Sequence, residues 1–76
     1  MRELIEYIAK SLVDNPDEVT VTRIRGARAT IFKLRVSEDD KGAVIGRHGR
    51  IADATRTLLR VAAALKGERR AILDIV

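Results

Sequence analysis

The 76-residue sequence has no cysteine or tryptophan, and only one each of proline, tyrosine, phenylalanine and histidine. Without cysteine, the chain cannot form disulfides, thiolate metal sites or a cysteine nucleophile. With two aromatic rings, it cannot build the aromatic stacking platform that some nucleic-acid-binding folds present to bases. The lone histidine, His48, supplies neither a metal site nor a nucleophile–base–acid set, so we expect no enzyme, cofactor or metal.

Long apolar runs are also absent, so no segment is expected to cross a membrane. Glu3 and Glu6 interrupt the apolar pattern near the start, which argues against a signal peptide and favours the cytoplasm. Hydrophobic residues make up 46% of the chain, which is typical of a folded globule. The length allows one domain, predicted to span residues 1–76.

Positive charge is concentrated after residue 18, within a formal net charge of +4. Residues 19–36 hold five bases and no acid, and residues 41–76 hold eight bases and three acids. A basic excess of this kind favours a polyanionic partner, with nucleic acid ahead of a membrane. On charge alone, a surface that is basic only for solubility explains the pattern equally well.

The first half of the chain is predicted to fold as a helix followed by a β-hairpin. Apolar spacing predicts a helix over residues 2–14, which Pro16 terminates. Alternation predicts strands over residues 19–25 and 29–36, and Gly26 suits the first central position of a two-residue type II′ turn. One face of the second strand is predicted to carry Phe32, Leu34 and Val36, and the other Ile31, Lys33 and Arg35.

The second half is predicted to contain two helices and a last strand, over residues 38–45, 50–66 and 69–76, with glycines ending both helices. Ser37 and Asp40 resemble a capping box, and the acids Glu38 to Asp40 suit a helix start better than a metal site. The apolar side of the long helix is predicted to hold Ile51, Ala54, Leu58, Ala62 and Leu65. Its wet side is predicted to hold Arg50, Asp53, Arg56, Thr57 and Arg60.

The turn Gly46-Arg47-His48-Gly49 between these helices is the segment best suited to bind a ligand. Gly46 tolerates a positive φ, and Gly49 leaves room for a phosphate to approach the main chain. The first turn of the helix from Arg50 onward leaves amide N–H groups without intrahelical partners, which makes an anion site. Arg47, His48 and Arg50 add side-chain donors. A tight turn that needs glycine only for its geometry is the competing interpretation.

The stretch from Val44 to Ile51, VIGRHGRI, resembles the I-G-x-x-G signature of KH domains. The order α-β-β-α-α-β resembles the type II, bacterial form of that domain. The size and the continuation RTLLRVAAA over residues 56–64 are similar to the small stand-alone bacterial KH proteins of the KhpA type. The resemblance covers nearly the whole chain. It implies an α+β fold with helices packed on one face of a three-stranded mixed sheet.

The resemblance also implies single-stranded RNA binding, in which the G-x-x-G loop grips the sugar-phosphate backbone of about four nucleotides. Transferred by position, the implied contact residues are Gly46, Arg47, His48, Gly49, Arg50, Lys41, Val44 and Ile51. The second strand, over residues 31–36, is expected to form the other wall of the groove. Implied partners are a second KH protein of the KhpB or Jag type and a homodimer. The implied role is post-transcriptional regulation or RNA chaperoning linked to bacterial cell shape and division.

Two other functions remain open from the residues alone. The two helices and their glycine turn suit a helix-turn-helix DNA binder that reads with the helix from Arg50. The alanine-rich face at residues 61–65 suits a protein-interaction or dimerisation module. A nucleotide-hydrolysing enzyme is disfavoured, because Gly42 and Gly46 are not followed by the Gly-Lys-Ser/Thr of a phosphate-binding loop.

Overall fold

The computed structural model describes all 76 residues, and its helices and strands follow in the predicted order. The helices are α1 (Arg2–Leu12), α2 (Lys41–Ile45) and α3 (Arg50–Lys66), and the strands are β1 (Thr20–Arg25), β2 (Ala29–Arg35) and β3 (Arg70–Ile75). Single 3₁₀ turns connect them at Pro16–Glu18, Glu38–Asp40 and Arg47–Gly49. None of the helices combines the length and apolar character that a membrane crossing requires.

The three strands form one mixed sheet in the order β1-β2-β3. Strand β2 pairs antiparallel with β1 and parallel with β3. A parallel pair needs a long crossover connection, and α2 and α3 supply it. The predicted α+β class with a three-stranded mixed sheet is therefore confirmed.

The hydrophobic core lies between one face of the sheet and the helices. Ile5 of α1 and Leu59 of α3 are its largest fully buried side chains. On the sheet, Phe32 and Leu34 are each 3% exposed, and they pack in the same cluster. Their shared face with Val36 confirms the alternation predicted for the second strand.

The predicted apolar side of α3 is wrong by one residue. The buried residues are Ala52, Thr55, Leu59 and Ala63, whereas Leu58 is 54% exposed and Leu65 is 83% exposed. Apolar residues recur at helical spacing on both sides of α3, so periodicity alone does not choose between them. Small residues at 52, 55 and 63 allow α3 to approach the sheet closely. Thr55 donates its hydroxyl to the Ile51 carbonyl at 2.9 Å, which satisfies the buried polar group.

The predicted type II′ turn is also wrong, because Gly26 does not have the positive φ which that turn requires. The strands are joined by three residues, and the Gly26 N–H donates to the Ala29 carbonyl at 2.8 Å. A Cβ on Gly26 would lie 2.9 Å from that carbonyl oxygen. Glycine is therefore needed here for close approach of two backbone segments.

The predicted capping box is not formed, since Ser37 makes no side-chain cap. The side chain of Asp40 is turned inward, and its carboxylate accepts hydrogen bonds from the Asp14 N–H at 3.2 Å and the Asn15 N–H at 3.1 Å. The Asn15 side-chain amide donates a third bond at 3.1 Å. Burial opposes ionisation of Asp40, but these donors outweigh it and hold the pKa of the carboxyl below its ordinary value. Asp40 thus ties the end of α1 to the start of α2.

Candidate nucleic-acid interface

The turn between α2 and α3 begins at Gly46, which ends α2 with φ 79° and ψ 170°. A Cβ at this position would lie 2.6 Å from Cγ1 of Ile51 and 2.9 Å from the Ile51 backbone nitrogen. The start of α3 therefore packs directly on the Gly46 backbone. This combination of positive φ and contact admits only glycine, and it confirms the positive φ predicted for this residue.

The next part of the turn is left-handed at two successive residues. His48 has φ 58° and is the only non-glycine residue with positive φ, and Gly49 follows with φ 74°. Histidine is among the residues that enter this region more often than most. Apart from the adjacent residues of the chain, nothing lies within 4 Å of where a Cβ on Gly49 would stand, so the main chain there is open to an incoming group.

The amide hydrogen bonds of the turn begin at its third residue. The Gly49 N–H donates to the Gly46 carbonyl at 3.1 Å, and the Arg50 N–H donates to the Arg47 carbonyl. Neither of these two bonds uses the amides of Arg47 or His48. The 3₁₀ turn does engage the Arg50 amide that was expected to be free. Successive N–H groups in a turn, before a 17-residue helix, form a concavity suited to an anion.

The basic side chains of the turn surround these amides. Arg47, His48 and Arg50 are all exposed, and none of them takes part in an ion pair. Lys41 is half-buried, and its Nζ lies 2.9 Å from Oε1 of Glu38, so its charge is partly neutralised. The turn therefore carries uncompensated positive charge.

The two apolar residues predicted for the groove occupy different places. Ile51 is half-buried and covers Gly46, so it stands at the edge of the turn. Val44 is 4% exposed and belongs to the hydrophobic core. Val44 therefore supports α2 from beneath and presents no surface to a ligand. The structure brings six of the eight predicted residues together at the turn, and leaves Lys41 and Val44 on α2.

The strand packed along α3 is β3, whereas the predicted groove wall was β2. Strand β2 is central in the sheet and is covered on both edges, whereas β3 is an edge strand packed along α3. A groove of about 270 Å³ separates α3 from β3. It is lined by Arg56, Arg60, Arg70, Ala71, Ile72 and Leu73. The sequence did not indicate this groove, because strand order depends on contacts between distant segments.

Three arginines in this groove were not among the predicted site residues. Arg56 and Arg60 lie one helical turn apart on α3, and Arg70 begins β3 opposite them. Arg56 forms an exposed ion pair with Asp53 at 3.5 Å. The spacing of Arg56 and Arg60 after Arg50 is the signal in the sequence that marks a basic stripe on α3.

Comparisons with known proteins give a consistent result. A family model described as "KhpA/KhpB, KH domain" matches residues 2–75. The RNA-binding protein KhpA of Caldanaerobacter subterraneus is 53% identical over the whole of both chains. The proteins of the same name from Borreliella burgdorferi and Clostridium acetobutylicum are 57% identical over 97% of this chain and 89% of the relative, and 49% identical over the whole of both. No solved structure matches the chain.

Proposed function

The chain belongs to the KhpA/KhpB family of KH domains, and from that premise we propose that it binds single-stranded RNA through its Gly46–Gly49 turn. The observation that supports it is the geometry of this turn: its two hydrogen bonds do not use the Arg47 and His48 amides, Gly49 is open, and the exposed basic side chains around it form no ion pair. Relatives that share about half of its residues bear the name RNA-binding protein. KH domains hold about four nucleotides by their backbone at such a loop.

In this proposal a backbone phosphate occupies the concavity of the turn. The Arg47 and His48 amides donate to its oxygens, and the absence of a side chain on Gly49 allows close approach. The guanidinium groups of Arg47 and Arg50 reach the same phosphate or the next one, because arginine matches phosphate geometry. Ile51 borders the turn as an apolar contact for the sugar or base.

The bases of the strand would enter the groove between α3 and β3. Strand β3 is an edge strand, so its outer backbone N–H and C=O groups are unpaired and available to base edges. Arg56, Arg60 and Arg70 hold the phosphates along the groove rim. No aromatic residue lines this groove, so we expect loose sequence preference and a strong dependence of affinity on salt.

Duplex DNA is the less suitable ligand. A helix-turn-helix needs a first helix that crosses the DNA backbone, and α2 has only five residues. Two basic residues of α3, Arg56 and Arg60, also face a groove shared with β3, whereas a recognition helix needs a free face to enter the major groove. We therefore expect binding to single-stranded RNA to exceed binding to duplex DNA of the same length.

The wider proposal concerns how the chain operates. We propose that residues 1–76 act as one KH domain in the bacterial cytoplasm, as a post-transcriptional regulator or RNA chaperone without cofactor or catalysis. We further propose a KH partner of the KhpB type and a homodimer. Support for a partner comes from the family description, which joins KhpA with KhpB, and from the exposed apolar residues Leu58, Val61 and Leu65.

The test of RNA binding is Arg47→Asp combined with His48→Asp, titrated with an octamer of single-stranded RNA and followed by NMR amide shifts and anisotropy. Aspartate tolerates the left-handed conformation at residue 48, so the fold should survive. We expect binding to be lost, because carboxylates repel phosphate beside the amide donors. The control, Lys10→Asp with Ser11→Asp, makes the same change in formal charge on α1. Unchanged binding in the turn variant would refute the proposal.

A further inference from the structure

A second basic pocket, of about 340 Å³, lies at the opposite end of α3 from the Gly46–Gly49 turn. It opens where α3 ends at Gly67, on the side of the sheet that carries the core. Arg23, Arg25 and Arg69 line it. Its other walls include Phe32.

The sheet register explains why two of these arginines meet in one pocket. Arg23 stands opposite Phe32 and Arg25 stands opposite Thr30, so both side chains lie on the helix-covered side of the sheet. Residues two apart on one strand are separated by about 7 Å. The two guanidinium groups therefore project side by side over the apolar floor at Phe32.

The third arginine is held in place by the hairpin. Nη1 of Arg69 donates to the Gly26 carbonyl at 2.6 Å, a contact that joins the start of β3 to the β1–β2 turn. None of the three arginines forms an ion pair, and Glu68 is the only acid that lines the pocket. The pocket therefore has uncompensated positive charge with one of its donors already oriented.

These arginines are not needed as hydrogen-bond donors to the last carbonyl groups of α3. The helix is closed by its own backbone, because the Gly67 N–H donates to the Ala64 carbonyl at 3.2 Å and the Glu68 N–H donates to the Ala63 carbonyl at 2.9 Å. Three arginines around a cavity, none of them in an ion pair, suit a phosphate group, which guanidinium groups bind in a bidentate manner.

The position of the pocket relates it to the RNA site. Helix α3 has 17 residues and is about 25 Å long, so the turn and the pocket stand about that far apart. The basic groove of Arg56, Arg60 and Arg70 lies between them, and Ala71 lines both this groove and the pocket. The groove and the pocket therefore adjoin at β3.

We propose that this pocket is a second phosphate-binding site, which holds the backbone of the same RNA strand beyond the nucleotides gripped at the turn. The inference rests on the proposed function. A strand that fills only the four-nucleotide grip does not reach the pocket, whereas a longer strand reaches it along the α3–β3 groove. The site lengthens the RNA footprint and raises affinity for longer strands.

The test compares a tetramer and a dodecamer of the same single-stranded RNA, bound to wild type and to Arg23→Gln with Arg25→Gln. We expect the variant to bind the dodecamer about fivefold to tenfold more weakly and the tetramer equally well. Its salt slope for the dodecamer should fall by about 0.7 for each phosphate that the variant no longer neutralises. The matched control, Lys33→Gln with Arg35→Gln, removes two charges from the opposite face of the sheet and should change neither oligomer.

Failure of this inference is distinguishable from failure of the proposed function. If wild type binds neither oligomer, RNA binding itself is refuted. If both oligomers bind and the Arg23/Arg25 variant weakens the dodecamer no more than the control does, only the second site is refuted. A third arm uses uridine monophosphate. If it shifts the amides of Gly26 and Thr30 while the dodecamer leaves them unmoved, the pocket holds free nucleotides, and its role in strand binding is overturned.

Discussion

The two ends of α3 present positive charge in opposite ways. At its N-terminal end, the proposed donors are the backbone amides of Arg47 and His48, and the helix dipole adds to their attraction for an anion. At its C-terminal end the dipole is reversed, and the proposed donors are the side chains Arg23, Arg25 and Arg69 from outside the helix. A helix start attracts an anion with its main chain, whereas a helix end needs basic side chains supplied by other segments.

The glycines at the two ends of α3 differ in how closely other residues pack against them. Gly46 and Gly67 both have positive φ, at 79° and 65°. A Cβ on Gly46 would collide with Ile51, whereas no atom lies within 4 Å of one on Gly67. The N-terminal end is therefore a packed joint, and the C-terminal end is an open cap.

The largest expected effect on stability is at Gly46, in the packed N-terminal end of α3. Gly46→Ala combines left-handed strain with a collision against Ile51, and we expect it to lower the free energy of unfolding by about 3 kcal/mol. Gly67→Ala carries only the conformational strain and should cost about 1 kcal/mol. Urea denaturation of the two variants measures the difference. Equal losses would contradict the contrast between a packed and an open end.

A second prediction concerns the loss of stability in acid that follows from protonation of Asp40. Hydrogen bonds from Asp14 and Asn15 hold the pKa of Asp40 below its ordinary value, in spite of burial. Because the folded pKa is the lower one, this contribution to stability is present above about pH 4 and is lost as the pH falls through the folded pKa. Asp40→Asn should therefore lower stability at neutral pH and flatten its decline in acid.

Hydrogen exchange at low pH shows which part of the protein loses protection first. Since Asp40 joins α1 to α2, amides of α2 and of the Gly46–Gly49 turn should lose protection before those of the β1–β2 hairpin. Asp39→Asn is the matched control, because Asp39 is exposed and makes no hydrogen bond to the protein. Simultaneous loss of protection at both places would contradict a local role for Asp40 at the junction of α1 and α2.

The smallest expected effect lies between the two ends. Arg60 is exposed in the α3–β3 groove and has no ion pair, so Arg60→Gln should change the free energy of unfolding by less than about 0.5 kcal/mol. It removes one phosphate contact, and we expect about a threefold loss of affinity for a dodecamer of RNA. Anisotropy titrations at several salt concentrations measure both affinity and salt slope. If the salt slope is unaltered, Arg60 contacts no phosphate of the bound strand. The turn and the Arg23/Arg25/Arg69 pocket would then be independent sites.

Local patterns predicted much of the fold. The bounds of α3, at Arg50 and Lys66, follow from a glycine before the helix and another after it. The position of the turn at Gly46–Gly49 and the buried face of β2 were also evident, since each depends on a few adjacent residues. Side chains that serve distant segments were misassigned. Asp40 resembled a local cap, but its partners are Asp14 and Asn15, about 25 positions earlier.

The candidate site divides in the same way. The turn residues from Gly46 to Ile51 lie together because they are adjacent in sequence. Val44 was misplaced because helical spacing alone does not show which side of α2 meets the core. The arginines at 56, 60 and 70 become one groove wall only when β3 is placed beside α3.

By itself, the amino-acid sequence determined the order of the elements, the glycine turn and its basic side chains, because φ preferences and apolar spacing act over a few residues. The tertiary structure alone decided which side of α3 is buried, which strand borders the groove and where Asp40 finds its donors. It also brought Arg23, Arg25 and Arg69 into one pocket. These outcomes depend on contacts between segments far apart in the chain, and many pairings of such segments are compatible with the same local pattern.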